Sequence, residues 1–132
     1  MLTEENKATI RRLVEARNTN DVEAFAALFP ADWHEGVRHS FLNWTEAFPD
    51  VHITIEELIG EGDKIVSRWS FQGTHLGLYQ DIPATGKKVN YTGIDIYTIV
   101  DGKIVSVVRE TDSLVVLRQL GVIGSHQQRA AL

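Results

Sequence analysis

Pro49 divides this chain into two hydrophobic rhythms. Before it, apolar residues recur every three or four positions; after it, they recur every second position. The first spacing lines side chains along one face of a helix, and the second lines them along one face of a strand. The chain is therefore expected to place helices first and an antiparallel sheet second, an α+β arrangement. Its 132 residues, 43% of them hydrophobic, suit a single compact domain over residues 1–132 with a real core.

In the first half, Ile10, Leu13 and Val14 predict a helix over residues 4–17, with Thr3 as its N-cap. Asn20 and Glu23 match a capping box for a second helix that carries Val22, Phe25, Ala26 and Phe29 on one side and stops at Pro30. Val37, Phe41, Trp44 and Phe48 step by four, three and four down one face of a third. Four strands follow: VHITIEELI, KIVSRWSFQG, VNYTGIDIYTIV and KIVSVVRET. Asp101-Gly102 is a strong signal for a two-residue type I′ turn between the last two, which requires positive φ at both positions. Leu114, Leu117 and Leu120, with Ser113 as cap and Gly121 as stop, predict a short closing helix; Val115 and Val116 keep a strand as the alternative. Residues 124–132 are expected to be a frayed tail. A strongly twisted sheet wrapped around helices makes a cone.

Charge and composition remove whole classes of function. A net charge of -5 without a basic run argues against nucleic acid and anionic membranes. No apolar run reaches the roughly 20 residues of a membrane span, and MLTEENKATIRR is not signal-like, so a cytoplasmic location is expected. With no cysteine, thiol nucleophiles, disulfides and Cys-based zinc sites are excluded. HEGVRH invites comparison with the zinc motif H-E-x-x-H, but His34 and His39 stand five apart rather than four, so no metal site is expected.

A two-residue turn at Asp101-Gly102 sets Asp112 opposite Tyr91, Glu110 opposite Gly93, Val108 opposite Asp95 and Ser106 opposite Tyr97, all on one side of the sheet. The other side, with Thr92, Ile94, Ile96, Val105, Val107 and Arg109, is largely aliphatic and is expected to pack. Three carboxylates on one half-buried face repel each other, which favours a raised pKa and general-base work; the same alternation also describes a face open to water. Gly93 favours a pocket, since a glycine within a strand often marks a close approach.

With its segments in this order, the chain resembles the SnoaL-like polyketide cyclase family of the NTF2-like superfamily. The matching words are AFPDVHITIEELIGEGDKIVSRWSFQGTHLG, IPATGKKVNYTGIDIYTIVDGKIV and D-S-L-x-x-L-R-Q-L-G, spanning residues 47–121. The resemblance implies an NTF2-like α+β cone opening onto an apolar pocket, in a homodimer, and an intramolecular aldol condensation run by an aspartate without metal or organic cofactor. The family's aspartate falls on Asp112. The chain departs from the pattern at Ser106 and Val108, where relatives carry acidic residues and a tryptophan, and in the short PADWHEG loop.

Asp112 is thus a candidate general base that removes a C–H proton beside a carbonyl, or else an N-cap of the closing helix. His75, in step with Trp69 and Phe71, either polarises a carbonyl or is a rim histidine bonded to backbone. Tyr91 and Tyr97 offer hydroxyls to a developing oxyanion. Asp95 is a second acid/base or a structural partner of Arg68 or Arg109. Trp44, Trp69, Phe71 and Glu110 complete the expected substrate contacts, Trp44 with core packing as its alternative. The expected ligand is a hydrophobic small molecule. Two rivals use the same cone: a non-catalytic ligand-binding dimer and a ketosteroid-isomerase-like proton transfer.

Overall fold

A computed structural model describes residues 2–123, so the expected tail at 124–132 lies outside the described residues. Helix α1 spans Leu2–Asn18, α2 Val22–Ala26 and α3 His34–Ala47, with one 3-10 turn at Ala31–Trp33 between the last two. Strands β1 (His52–Glu61), β2 (Lys64–Thr74), β3 (Lys88–Val100) and β4 (Lys103–Thr111) form one antiparallel sheet in sequence order, and α4 (Ser113–Leu120) closes the chain. The α+β cone is thus present, and the closing LVVL segment is helical. Among the described residues no helix is long and apolar enough to cross a membrane.

Local chemistry explains the helix ends. Glu4 and Glu5 stand in the first turn of α1, where the helix dipole favours negative charge. Thr3 lies inside this helix rather than capping it. The cap of α2 is Asp21 instead of Asn20: its side chain accepts from the Ala24 N–H at 3.1 Å, while Asn20 takes up a left-handed turn at φ 58°.

Both sheet edges are tied to helices. The Asn18 amide donates to the Ile53 carbonyl at 2.8 Å and accepts from the Ile53 N–H at 2.7 Å, so the end of α1 satisfies edge strand β1. On the other edge, Ile104 N–H donates to the Leu28 carbonyl and Lys103 Nζ to the Ala27 carbonyl.

The hairpin at Asp101-Gly102 forms as expected, with φ 51° and 75°, but the register beyond it does not hold. Val100 faces Lys103 and Ile99 faces Ile104; then Val105 is left over and Thr98 faces Ser106. This bulge moves every later β4 residue to the opposite side of the sheet. Asp95 therefore faces Arg109, Tyr97 faces Val107 and Gly93 faces Thr111. Glu110 is opposite Ile94 and Val108 opposite Ile96, so the expected grouping of Glu110 and Asp112 with the tyrosines is overturned. The packing face is also the reverse of the expected one. Tyr91, Asp95 and Tyr97 are buried, whereas Ile94 and Ile96 are 44% and 40% exposed.

The inner face holds two apolar clusters. One joins Phe48, Trp69, Phe71, Val89, Tyr91, Val116 and Leu120; the other joins Ile10, Leu13, Phe29, Ile65, Tyr97, Ile99 and Ile104. Burying one side chain of this size contributes about 1.5–3 kcal/mol, so both clusters stabilise the fold substantially. Between them the sequence turns polar. Ser67, Asp95 and Arg109 stand in one row across β2, β3 and β4.

Candidate functional site

A cavity of about 360 Å³ lies where the two clusters fail to meet. The sheet supplies Trp69, Phe71, Tyr91, Asp95, Tyr97 and Arg109 to its wall. The helices supply Arg17, Phe25 and Trp44, and Phe29 comes from the bend after α2, which ends at Ala26 rather than running on to Pro30 as expected. Trp44 and Phe48 pack against Phe71, with ring centres 5.7 and 5.2 Å away, so Trp44 combines a place on the cavity with core packing.

Asp95 is the only acidic side chain on this wall among the described residues, and it is 1% exposed. Arg109 grips it as a fork, Nε donating to Oδ1 at 2.7 Å and Nη2 to Oδ2 at 2.9 Å. The Tyr97 hydroxyl also donates to Oδ2, at 2.7 Å. Three donors fix the carboxylate, yet Oδ1 accepts only one of them. Of the two partners proposed for Asp95, Arg109 is therefore the one used; Arg68 instead pairs with Glu57 at 3.5 Å.

Burial shapes the electrostatics. It pushes the Tyr97 phenol well above its ordinary pKa, and Asp95 adds to the effect, so Tyr97 stays a hydrogen-bond donor. Tyr91 is raised too, chiefly by burial. For Arg109, burial favours the neutral form, but the hydrogen bonds and charge of Asp95 outweigh it and the net shift is upward. Arg17 is pulled down to about 10, by burial first and then by the charge of Arg109.

The other sequence candidates fall elsewhere. Asp112 is exposed and stays off the cavity wall: it caps α4, accepting from the Val115 N–H at 3.2 Å. Glu110 is exposed and does not line the cavity, because the bulge turns it to the other side of β4. His75 is buried without lining the cavity; its Nδ1 accepts from the Thr85 backbone N–H at 3.2 Å. Thr85 Oγ1 also lies 2.9 Å from Nδ1, and Nε2 has no partner among the described residues. His34 Nε2 lies 2.9 Å from the Phe29 carbonyl and binds it.

Two residues of the cavity wall, Arg17 and Arg109, are not among the substrate contacts expected from the sequence. Arg109 carries a signal in the sequence, as one of two possible partners of Asp95, but a hairpin without the bulge sets it on the opposite face. No spacing marks Arg17, which looks like a routine basic residue in the last turn of a helix.

The profile of the SnoaL-like polyketide cyclase family matches residues 7–120. Among solved structures, the chain is similar to TsrD from Streptomyces laurentii, at 28% identity over 91% of this chain and 97% of that one, with a TM-score of 0.85. It is similar to IdmH, a proposed polyketide cyclase from Streptomyces antibioticus, at 26% identity over 88% and 98% of the two chains, with a TM-score of 0.76. AclR, a proposed hydroxylase from Streptomyces galilaeus, shares the fold at 22% identity over 98% and 99% of the chains, with a TM-score of 0.85. None of the curated proteins compared matches the chain in sequence. The family match covers most of the chain and the fold is that of its solved relatives: this protein belongs to the SnoaL-like polyketide cyclase family and has its NTF2-like α+β cone.

Proposed function

We propose that the protein closes a ring in a small hydrophobic carbonyl compound by intramolecular aldol addition, with Asp95 rather than Asp112 as the acid/base. The observation that carries this reading is a buried carboxylate on the wall of an apolar cavity, with a guanidinium and a phenol oriented on it. Asp95 Oδ1, which keeps a lone pair, removes the proton from a carbon between two carbonyl groups. The negative charge passes to the enolate oxygen, and Arg109 is then balanced by the enolate instead of by Asp95. The enolate carbon bonds to the second carbonyl carbon, and the resulting alkoxide takes the proton back from Asp95. Atoms and charge balance, and the product is an isomer of the substrate.

Family membership together with similarity to IdmH supports this chemistry over a binding role. The homodimer expected from the resemblance belongs to the same proposal. Ile94, Ile96 and Val108, exposed together on the outer side of β3 and β4, would be covered by a second copy. Sedimentation as a monomer at micromolar concentration would remove that part.

The test is ring closure of linear aryl polyketones, followed by product analysis for wild type, Asp95→Asn and Asp112→Asn. Loss of a general base lowers the rate by about 10²–10⁴-fold, so Asp95→Asn is expected to lose turnover at that level. Asp112→Asn is expected to stay within about twofold, because Asp112 does not line the cavity. An Asp95→Asn variant with wild-type rates overturns the assignment. A shifted double bond without a new ring would point to proton transfer alone.

A further inference from the structure

The cavity wall holds two guanidiniums and one carboxylate. Asp95 is engaged by Arg109 through both oxygens, and Arg17 has no acid within ion-pair distance among the described residues. Arg17 is held in place nonetheless. Nη1 donates to the Phe41 carbonyl at 3.1 Å and to Thr45 Oγ1 at 3.3 Å, and the guanidinium lies 3.7 Å from the Phe41 ring centre. Its Nε and Nη2 donors have no acceptor among the described residues.

A partly buried cation without a counter-charge is costly, and the cost falls when a bound molecule supplies the anion. Arg17 is still charged at neutral pH, since its pKa falls only to about 10. Trp69 adds to the imbalance. It lines the same cavity, and its buried Nε1–H, a donor only, is unpartnered among the described residues. The wall thus offers more donors than acceptors, and more positive than negative charge.

We propose that the cavity takes an anionic substrate: a hydrophobic, ring-sized carbonyl compound with a free carboxylate, which Arg17 grips through Nε and Nη2. The inference rests on the reading of this cavity as the substrate site, and it names the chemical class that enters. A planar guanidinium matches a carboxylate through two parallel hydrogen bonds. Arg17 itself is already pre-positioned by Phe41 and Thr45, so little ordering is needed on binding. The rest of the molecule would lie against Trp44 and Phe71, with its reacting carbonyl toward Asp95 and Arg109. A methyl ester of the same acid leaves Arg17 unpaired, so preference for acid over ester is the signature.

Calorimetry with 2-naphthoate and methyl 2-naphthoate tests the proposal on wild type, Arg17→Gln, Arg17→Lys and Asp95→Asn. Wild type is expected to bind the acid at least about tenfold more tightly than the ester. Arg17→Gln should reduce that preference to within about twofold, and Arg17→Lys should retain part of it. Thermal unfolding without ligand checks that each variant folds; if Arg17→Gln does not, Arg17→Lys and the wild-type comparison still decide. Equal binding of acid and ester, no binding of the acid, or full preference in Arg17→Gln overturns the proposal. Asp95→Asn is expected to keep the preference while losing turnover. Equal binding with Asp95-dependent ring closure would therefore remove the anion and leave the aldol reading standing, and acid-selective binding without turnover would do the reverse.

Discussion

Gly93 and Trp69 face each other across β2 and β3, and the indole occupies the space where a side chain at Gly93 would begin. A Cβ built there would lie 2.6 Å from Cη2 and 2.9 Å from Cε2 of the ring. Trp69 is packed against Tyr91 with ring centres 5.7 Å apart, and Arg109 stands 5.6 Å from the Trp69 ring, so moving the indole aside disturbs both contacts. Gly93→Ala is accordingly expected to cost about 1–3 kcal/mol, the usual range for overpacking a core. Urea unfolding of the variant checks this, and an unchanged midpoint would show that the indole moves freely.

Asp112 predicts a separation of stability from activity. Replacing a capping Asp by Ala removes about 1 kcal/mol, so Asp112→Ala should lower the unfolding midpoint while turnover and ligand affinity stay near wild type. A fall in turnover larger than the loss of folded protein would return Asp112 to the chemistry.

Asp95 and Arg109 should behave as one unit. Either single change leaves a partner without its counterpart, so the double variant Asp95→Asn/Arg109→Gln is expected to be less destabilised than the two singles added together. Coupled pairs show about 0.5–3 kcal/mol of non-additivity. The lower half of that range is expected here, because the Arg109 side chain is 47% exposed and water screens it. Strict additivity in denaturant unfolding would mean that the fork does not persist in solution.

The tyrosines predict the behaviour at alkaline pH. Tyr79, Tyr91 and Tyr97 are the three tyrosines of the chain, and burial pushes each above the ordinary value of 10.0. The folded state thus holds the phenol protons more tightly than the unfolded chain. This stability is fully present below about pH 10 and is lost as the pH rises above it. In an alkaline titration, phenolate absorbance should appear together with unfolding instead of before it. Phenolate forming at pH 10 in a protein whose circular dichroism is still native would contradict the burial of these rings.

The sequence disclosed more of the fold than of the site, for a physical reason. Helices and strands are announced by local periodicity, and Val37, Phe41, Trp44 and Phe48 did align on one helix face as their spacing required. The turn at Asp101-Gly102 was equally legible, because positive φ at both positions has a residue signature. The bulge at Val105 has none. Its Val-rich surroundings alternate no more clearly in one register than in the other, and the register is decided by which face the helices cover. That one slip hid Arg109 and promoted Glu110. Asp95, Tyr91, Tyr97, Trp69 and Phe71 share the cavity wall because they sit on the unbulged strands β2 and β3, where parity carries through. Arg17 was invisible for another reason: its role comes from Phe41 and Thr45, which lie more than twenty residues away in the chain.

Val105 also bears on how related chains can be compared. Loss of this single supernumerary residue would exchange the two sides of β4 from Ser106 onward, sending the arginine into solvent and drawing its neighbours inward. Two relatives that agree from Ser106 onward can therefore hold different cavities, if only one of them carries the extra residue before it. Transfer of a functional role from one to the other is sound when the hydrogen-bond ladder is matched first, and misleading by one position when it is not.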